Sequence, residues 1–176
     1  MATDVLDQTV PSAGAGKGVA DQFVIFGITG DLAKVMTFRS LYRLERRGLL
    51  DCPILGVAVD DWTVDQLIAR ARESIVGTGE QLDEVVFKRL ADRLSYVQGD
   101  FGDPATYGRV GEAINGARTP VFYLEIPPFL FGTVVKGLHD AGLTAHARVV
   151  VARPDRRRAQ PVTRPRRLRG PGVGLR

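Results

Sequence analysis

Five short apolar runs punctuate the chain: FVIFG (23–27), ILGVAV (54–59), LSYVQGD (94–100), VFYLEI (121–126) and ARVVVA (147–152). Between them lie segments whose apolar residues recur at helical spacing. This alternation is the mark of βαβ units, in which a helix carries the chain back so that the next strand can run parallel to the last. It predicts an α/β fold with a doubly wound, mostly parallel sheet, a Rossmann-like dinucleotide-binding domain.

The intervening segments carry their own boundaries. Leu32, Val35, Met36, Leu41 and Leu44 predict a helix over 31–47, with Arg46 and Arg47 in its last turn and Gly48 as the stop. Thr63 and Gln66 have the spacing of a capping box, opening a helix with Leu67, Ile68, Ala71 and Ile75 inward. Leu82, Val85, Val86 and Leu90 mark another helix, and Asp103 followed by Pro104 starts a fourth. Pro127 and Pro128 stop the fourth strand, and a helix over about 129–141 ends near Gly142. The expected organisation is a disordered N-terminal segment at 1–20, an NAD(P)-binding domain at 21–151 and a basic disordered tail at 152–176.

Charge bears on partners only once it is located. The chain carries +4, but residues 152–176 alone hold nine arginines and one aspartate, so the rest is mildly acidic at −4. No apolar run reaches membrane-spanning length. The N-terminus, with Asp4, Asp7 and Asp21 and neither a basic region nor a continuous apolar one, is not a secretory signal. Cys52 is the single cysteine, which rules out an intramolecular disulfide and a cysteine metal cluster; it is expected to be buried or incidental, in a reducing, cytoplasmic setting, with no metal site.

The chemistry concentrates where the first run ends. Gly27, Gly30 and Ala33 form G-x-x-G-x-x-A. The first glycine lets the strand turn sharply, the second lets backbone approach a pyrophosphate, and the small residue lets the helix pack on the strand. The helix N-terminus then offers unpaired N–H groups and partial positive charge to phosphates. Asp31 is expected in the first helical turn, facing away from the ligand. Thr29 could cap the helix or bond a phosphate, and Lys34 could contact phosphate or stand in solvent. Asp60 or Asp61, at the end of the second run, suits the ribose diol of NAD or simply precedes the next helix.

FGITGDLAK followed by FYLEIPP resembles the N-terminal coenzyme domain of the glucose-6-phosphate dehydrogenase family, over about residues 21–151. Gly27, Thr29, Gly30, Asp31, Leu32, Ala33 and Lys34 match its F-G-[AG]-[ST]-G-D-L-[AT]-K, while Tyr123, Leu124, Pro127 and Pro128 match Y-L-A-x-P-P, with Glu125 in place of alanine. The resemblance implies oxidation of D-glucose 6-phosphate to 6-phosphogluconolactone with NADP, the first step of the pentose phosphate pathway. It also implies a homo-oligomer and a cofactor site at Gly27, Ile28, Thr29, Gly30, Asp31, Leu32, Ala33, Lys34, Pro127 and Pro128. NAD is possible as well, because Val59 stands where the family reads the 2′-phosphate with arginine, beside Asp60 and Asp61.

Departures begin at the fifth run. The family's V-E-K-P-F-G is replaced by VARPDR, so Ala152 takes the place of the acid, Arg153 that of the substrate-binding lysine, and Pro154 is kept. The R-I-D-H-Y-L-G-K-E segment that binds sugar phosphate and supplies the base has no counterpart. His139 and His146 are expected to be ordinary helix-end and loop residues, leaving no catalytic residue. Of the 25 residues from Ala152 onward, 18 are Ala, Arg, Pro or Gly, as in an out-of-frame reading of a GC-rich gene. The expectation is therefore a catalytically incomplete dehydrogenase fragment. Its rivals are a non-catalytic nucleotide-binding module and a chain that holds nucleic acid or an acidic partner through the arginines.

Overall fold

The computed structural model describes residues 19–152. The expected disorder of 1–20, apart from its last two residues, and of the tail beyond Ala152 lies outside the described residues, as do Arg153 and Pro154. Five strands form one parallel sheet in the order β3-β2-β1-β4-β5: β1 (Gln22–Phe26), β2 (Ile54–Ala58), β3 (Leu94–Gln98), β4 (Pro120–Leu124) and β5 (Arg148–Val151). This is the doubly wound arrangement, and its order reverses between β1 and β4. Every strand stops at least one residue before its apolar run does, because the ladder ends where the next turn begins.

β1 is central, so it is buried on both faces. Its alternate residues feed two cores. Ile25 joins Phe38, Leu41, Tyr42, Leu67, Ile75 and Leu90 on one side, under helices α1 (Phe38–Arg46), α2 (Val64–Gly77) and α3 (Glu84–Arg93). Val24 and Phe26 join Tyr107, Val110, Phe122, Val134 and Leu138 on the other, under α4 (Pro104–Ala113) and α5 (Phe131–Asp140). The Thr63/Gln66 capping box forms at α2, and Asp103 caps α4 with proline at its start. Val19 and Asp21 are tied in as well: the Asp21 carboxylate accepts from the Arg118 and Thr119 N–H groups at 2.6 and 2.9 Å.

The helix after β1 differs from the one expected. Ala33–Thr37 is a π-helical turn, and α1 begins only at Phe38. The buried face is Ala33, Thr37, Phe38, Leu41, Tyr42 and Glu45, whereas Val35, Met36 and Leu44 are exposed. A side chain from α2 accounts for the wide turn: Ser74 Oγ donates to the Lys34 carbonyl, drawing it away from the ladder. The helix expected over 129–141 likewise begins as a 3-10 turn, Pro128–Leu130, because the prolines favour a tight start. Cys52 is buried, and its burial pushes the thiol pKa up.

Candidate coenzyme site

The C-terminal ends of β1, β2 and β4 meet at the glycine turn. Gly27 has φ +87° and donates its N–H to Val57 O at 2.8 Å. A Cβ there would collide with the Glu125 carbonyl oxygen and stand 2.8 Å from Ile126 Cγ2. Gly30 donates to Gly27 O at 3.0 Å, has no positive φ, and a Cβ on it would meet only that same oxygen, at 3.2 Å. The two glycines therefore do different work: Gly27 lets β1 and β4 close on each other, and exposed Gly30 leaves an open cradle above the turn. Ala33 is fully buried where the helix meets the sheet.

The other turn residues divide by what they leave free. Ile28 is fully buried, its Cγ2 lying 2.7 Å from where a Cβ on Gly56 would be, so only its backbone is available to a ligand. Asp31 and Lys34 are exposed at the start of the helix, and Leu32 is half-buried. Pro127 and Pro128 are exposed just beyond β4. The chain leaves Gly27 and enters the helix at Asp31, and the first N–H groups of a helix, lacking intrahelical partners, suit an anion. That backbone cradle fits a pyrophosphate.

The β2 end is acidic. Thr29 Oγ1 donates to Asp60 Oδ2 at 2.5 Å, which engages the hydroxyl that sequence left between cap and phosphate ligand. Tyr96 donates its hydroxyl to Asp60 O at 2.6 Å, and Gln98 Nε2 donates to Val59 O at 3.3 Å, so neighbouring β3 fixes this backbone. The Tyr96 pKa is pushed up to about 12, by burial first and then by the Asp60 and Asp61 carboxylates. Carboxylates at this strand end are able to accept from the hydroxyls of a ribose diol. The cation lining the adjoining cavity, with Val59, Gln98 and Asp100, is Arg109, whose Nη2 donates to Gln98 O at 3.1 Å. Nothing in the sequence marks Arg109; the return of α4 alone brings it there.

Residues 24–160 match the family model described as glucose-6-phosphate dehydrogenase, NAD binding domain. The chain belongs to the glucose-6-phosphate dehydrogenase family. Glucose-6-phosphate 1-dehydrogenase 1 of Mycobacterium tuberculosis is 56% identical over 139 residues, covering 79% of this chain and 30% of that protein. The Dickeya dadantii enzyme is 36% identical over 77% of this chain and 28% of its own length. The crystal structure of glucose-6-phosphate 1-dehydrogenase from Mycobacterium avium superposes with TM-score 0.74 at 57% identity, over 77% of this chain and 30% of that one. The chain thus spans about 30% of the length of the curated relatives it matches.

Against the glucose-6-phosphate dehydrogenase pattern, Glu125 is the departure with the most physical content. It sits where that pattern has alanine, buried, and accepts a hydrogen bond from Thr37 Oγ1 at 2.5 Å. Burial pushes its pKa up to about 7, with the Thr37 bond working the other way. The sequence shows Glu125 only as a mismatch; its partner lies 88 residues away on the π-helical turn. His139 lies in the last turn of α5 and His146 in the loop before β5. Both belong to the edge where the strands begin, opposite the glycine turn.

Proposed function

We propose that this chain is the coenzyme-binding part of a glucose-6-phosphate dehydrogenase, taking NADP at the edge formed by β1, β2 and β4. The supporting observation is the open Gly30 cradle at the point where strand order reverses, in a chain matched by that family's coenzyme domain. Ligands of doubly wound sheets lie in the crevice outside such a point. Backbone of Gly27 to Lys34 takes the pyrophosphate, and Pro127 and Pro128 wall the nicotinamide side. The β2 end holds the adenosine ribose, where Asp60 also admits NAD.

When bound, the coenzyme supplies a hydride acceptor for C1 of glucose 6-phosphate. This chain's residues bind and orient it; among the described residues none is placed to hold the sugar phosphate or to remove the C1 hydroxyl proton. His139 and His146 are at the wrong edge, and Arg153, proposed at the place of the family's substrate lysine, is one residue of a larger requirement. The reaction belongs to the whole enzyme, working in the cytoplasm as a homo-oligomer. Titration calorimetry of the 176-residue chain with NADP and NAD tests the coenzyme reading, with saturable binding of at least one expected. An NADPH absorbance assay with glucose 6-phosphate should show no turnover. Binding of neither dinucleotide, or turnover by the pure chain, refutes the corresponding half of the proposal.

A further inference from the structure

We propose that Glu125 is a positioning residue of the coenzyme turn: its neutral carboxyl holds the start of the coenzyme helix against the end of β4, and its ionisation loosens that hold. Three contacts of one residue converge on the turn. The Glu125 N–H donates to Phe26 O at 3.0 Å, extending the β1–β4 ladder to the edge of Gly27. Its carbonyl oxygen occupies the space that a Cβ on Gly27 would need. Its Oε1 accepts from Thr37 Oγ1 at 2.5 Å. A single side chain and its own backbone therefore grip both ends of the segment 27–37, which contains the whole glycine turn and the π-helical turn behind it.

The carboxyl is poorly furnished for a charge. Glu125 is only 8% exposed, and its Oε2 is buried without a hydrogen-bond partner among the described residues. Around it, the coenzyme helix presents Leu32, Met36, Thr37, Ser40 and Leu41, and β5 and its end present Val150, Val151 and Ala152. β1 contributes Phe23. β4 contributes Tyr123, whose phenol pKa is raised by burial first and by Glu125 second. None of these is a cation. On the coenzyme helix, Lys34 is exposed and Arg39 pairs with Glu80 at 3.1 Å. A buried carboxylate with one neutral donor is costly, so the ionised form is driven toward solvent and away from Thr37. It would also set negative charge beside a turn shaped for an anion. With the carboxyl pKa pushed up by burial to about 7, the switch falls near neutral pH.

The effect on the turn needs no ligand; the effect on affinity rests on the coenzyme reading above. The test follows the amide resonances of 28–34 and the Glu125 side-chain carboxyl carbon by NMR in the full 176-residue chain, from about pH 5.5 to about pH 8.5. The turn amides should titrate with the same midpoint as the carboxyl. Glu125→Gln should abolish that titration, and Thr37→Val, which removes a bond that the inward neutral carboxyl makes and the outward carboxylate does not, should move the midpoint downward. NAD, which has no titrating 2′-phosphate, should bind the wild type at least about threefold more weakly at the alkaline end and bind Glu125→Gln equally at both. Turn amides that do not follow the carboxyl, or that titrate unchanged in Glu125→Gln, overturn the proposal. If Glu125→Gln does not fold, a midpoint in Thr37→Val that stays or rises overturns it equally. Shared titration without NAD binding upholds the positioning role and defeats the coenzyme reading instead.

Discussion

Gly27→Ala and Gly30→Ala should separate folding from binding within a single motif. At Gly27 an alanine would hold φ near +87°, which costs an L-residue roughly 1–2 kcal/mol. The new methyl also collides with the Glu125 carbonyl. That carbonyl cannot step aside, because the Glu125 N–H is bonded to Phe26 O at 3.0 Å and the Gly27 N–H to Val57 O at 2.8 Å. Overpacking of this kind adds about 1–3 kcal/mol, for a loss of about 3 kcal/mol or more, a large part of a typical domain's stability. Gly30 has no positive φ, and its Cβ contact at 3.2 Å is with one oxygen of an exposed turn. Gly30→Ala should therefore unfold within about 1 kcal/mol of wild type. Its methyl, however, stands in the cradle and should weaken dinucleotide binding by at least about tenfold, the equivalent of about 1.4 kcal/mol. Urea unfolding and calorimetric titration on both variants check this. A Gly27→Ala chain as stable as wild type, or a Gly30→Ala chain with undiminished affinity, refutes the division of labour.

Three further outcomes are expected. Moving the Glu125 carboxyl from its ordinary 4.5 to about 7 favours the protonated folded state by about 3 kcal/mol, at about 1.36 kcal/mol per pH unit. Because the folded value is the higher one, this stabilisation is complete below the unfolded value and is lost as pH rises through about 7. Urea midpoints should fall between about pH 5 and about pH 8 in wild type and vary less in Glu125→Gln; parallel profiles would count against it. Asp60→Ser removes an acid from the β2 end and the acceptor of the Thr29 hydroxyl, so the NADP-to-NAD affinity ratio should rise about tenfold in competition binding, against no change if Asp60 merely precedes α2. Glu45 is buried between Arg89 at 2.9 Å and Arg93 at 2.8 Å. Since both arginines can rehydrate, Glu45→Gln should lower unfolding stability by only about 1–2 kcal/mol, not the 3–5 typical of a sealed pair.

The fold was largely legible because strands buried on two faces cannot avoid being apolar. β1, β2 and β4 are all such runs, and their βαβ spacing leaves one reasonable sheet. What misled was local continuity. Val59 extends the second apolar run, yet it is 56% exposed, since the ladder stops at Ala58. On the helix after β1, Met36 and Leu44 look like core and are exposed, while Thr37 and Glu45 look like surface and are buried. A polar side chain reads as buried only when its partners are known. Those partners, Glu125 for Thr37 and Arg89 for Glu45, lie 88 and 44 residues away. The π-helical turn depends in the same way on Ser74, 40 residues downstream of Lys34. The conformation of the turn is legible because it rests on backbone that only glycine permits at Gly27, with φ +87°.

The geometry also redistributes what the glycine motif signifies. Gly27 is demanded by β4, whose Glu125 carbonyl fills the space a side chain would take, so a glycine there reports strand packing before it reports any ligand. Gly30 meets no such demand, and the acids beyond Ala58 have no core role, being exposed on every count except the Thr29 bond. On the proposed coenzyme reading, Gly30 and the β2 end serve the ligand, whereas Gly27 and Ala33 are demanded by the fold. It follows that substitutions at the first pair should move affinity at nearly constant stability, and those at the second should move both. Glu125 bridges the two sets. Its backbone closes the sheet and its carboxyl holds the helix that carries the cradle, so its proton is placed to couple one to the other.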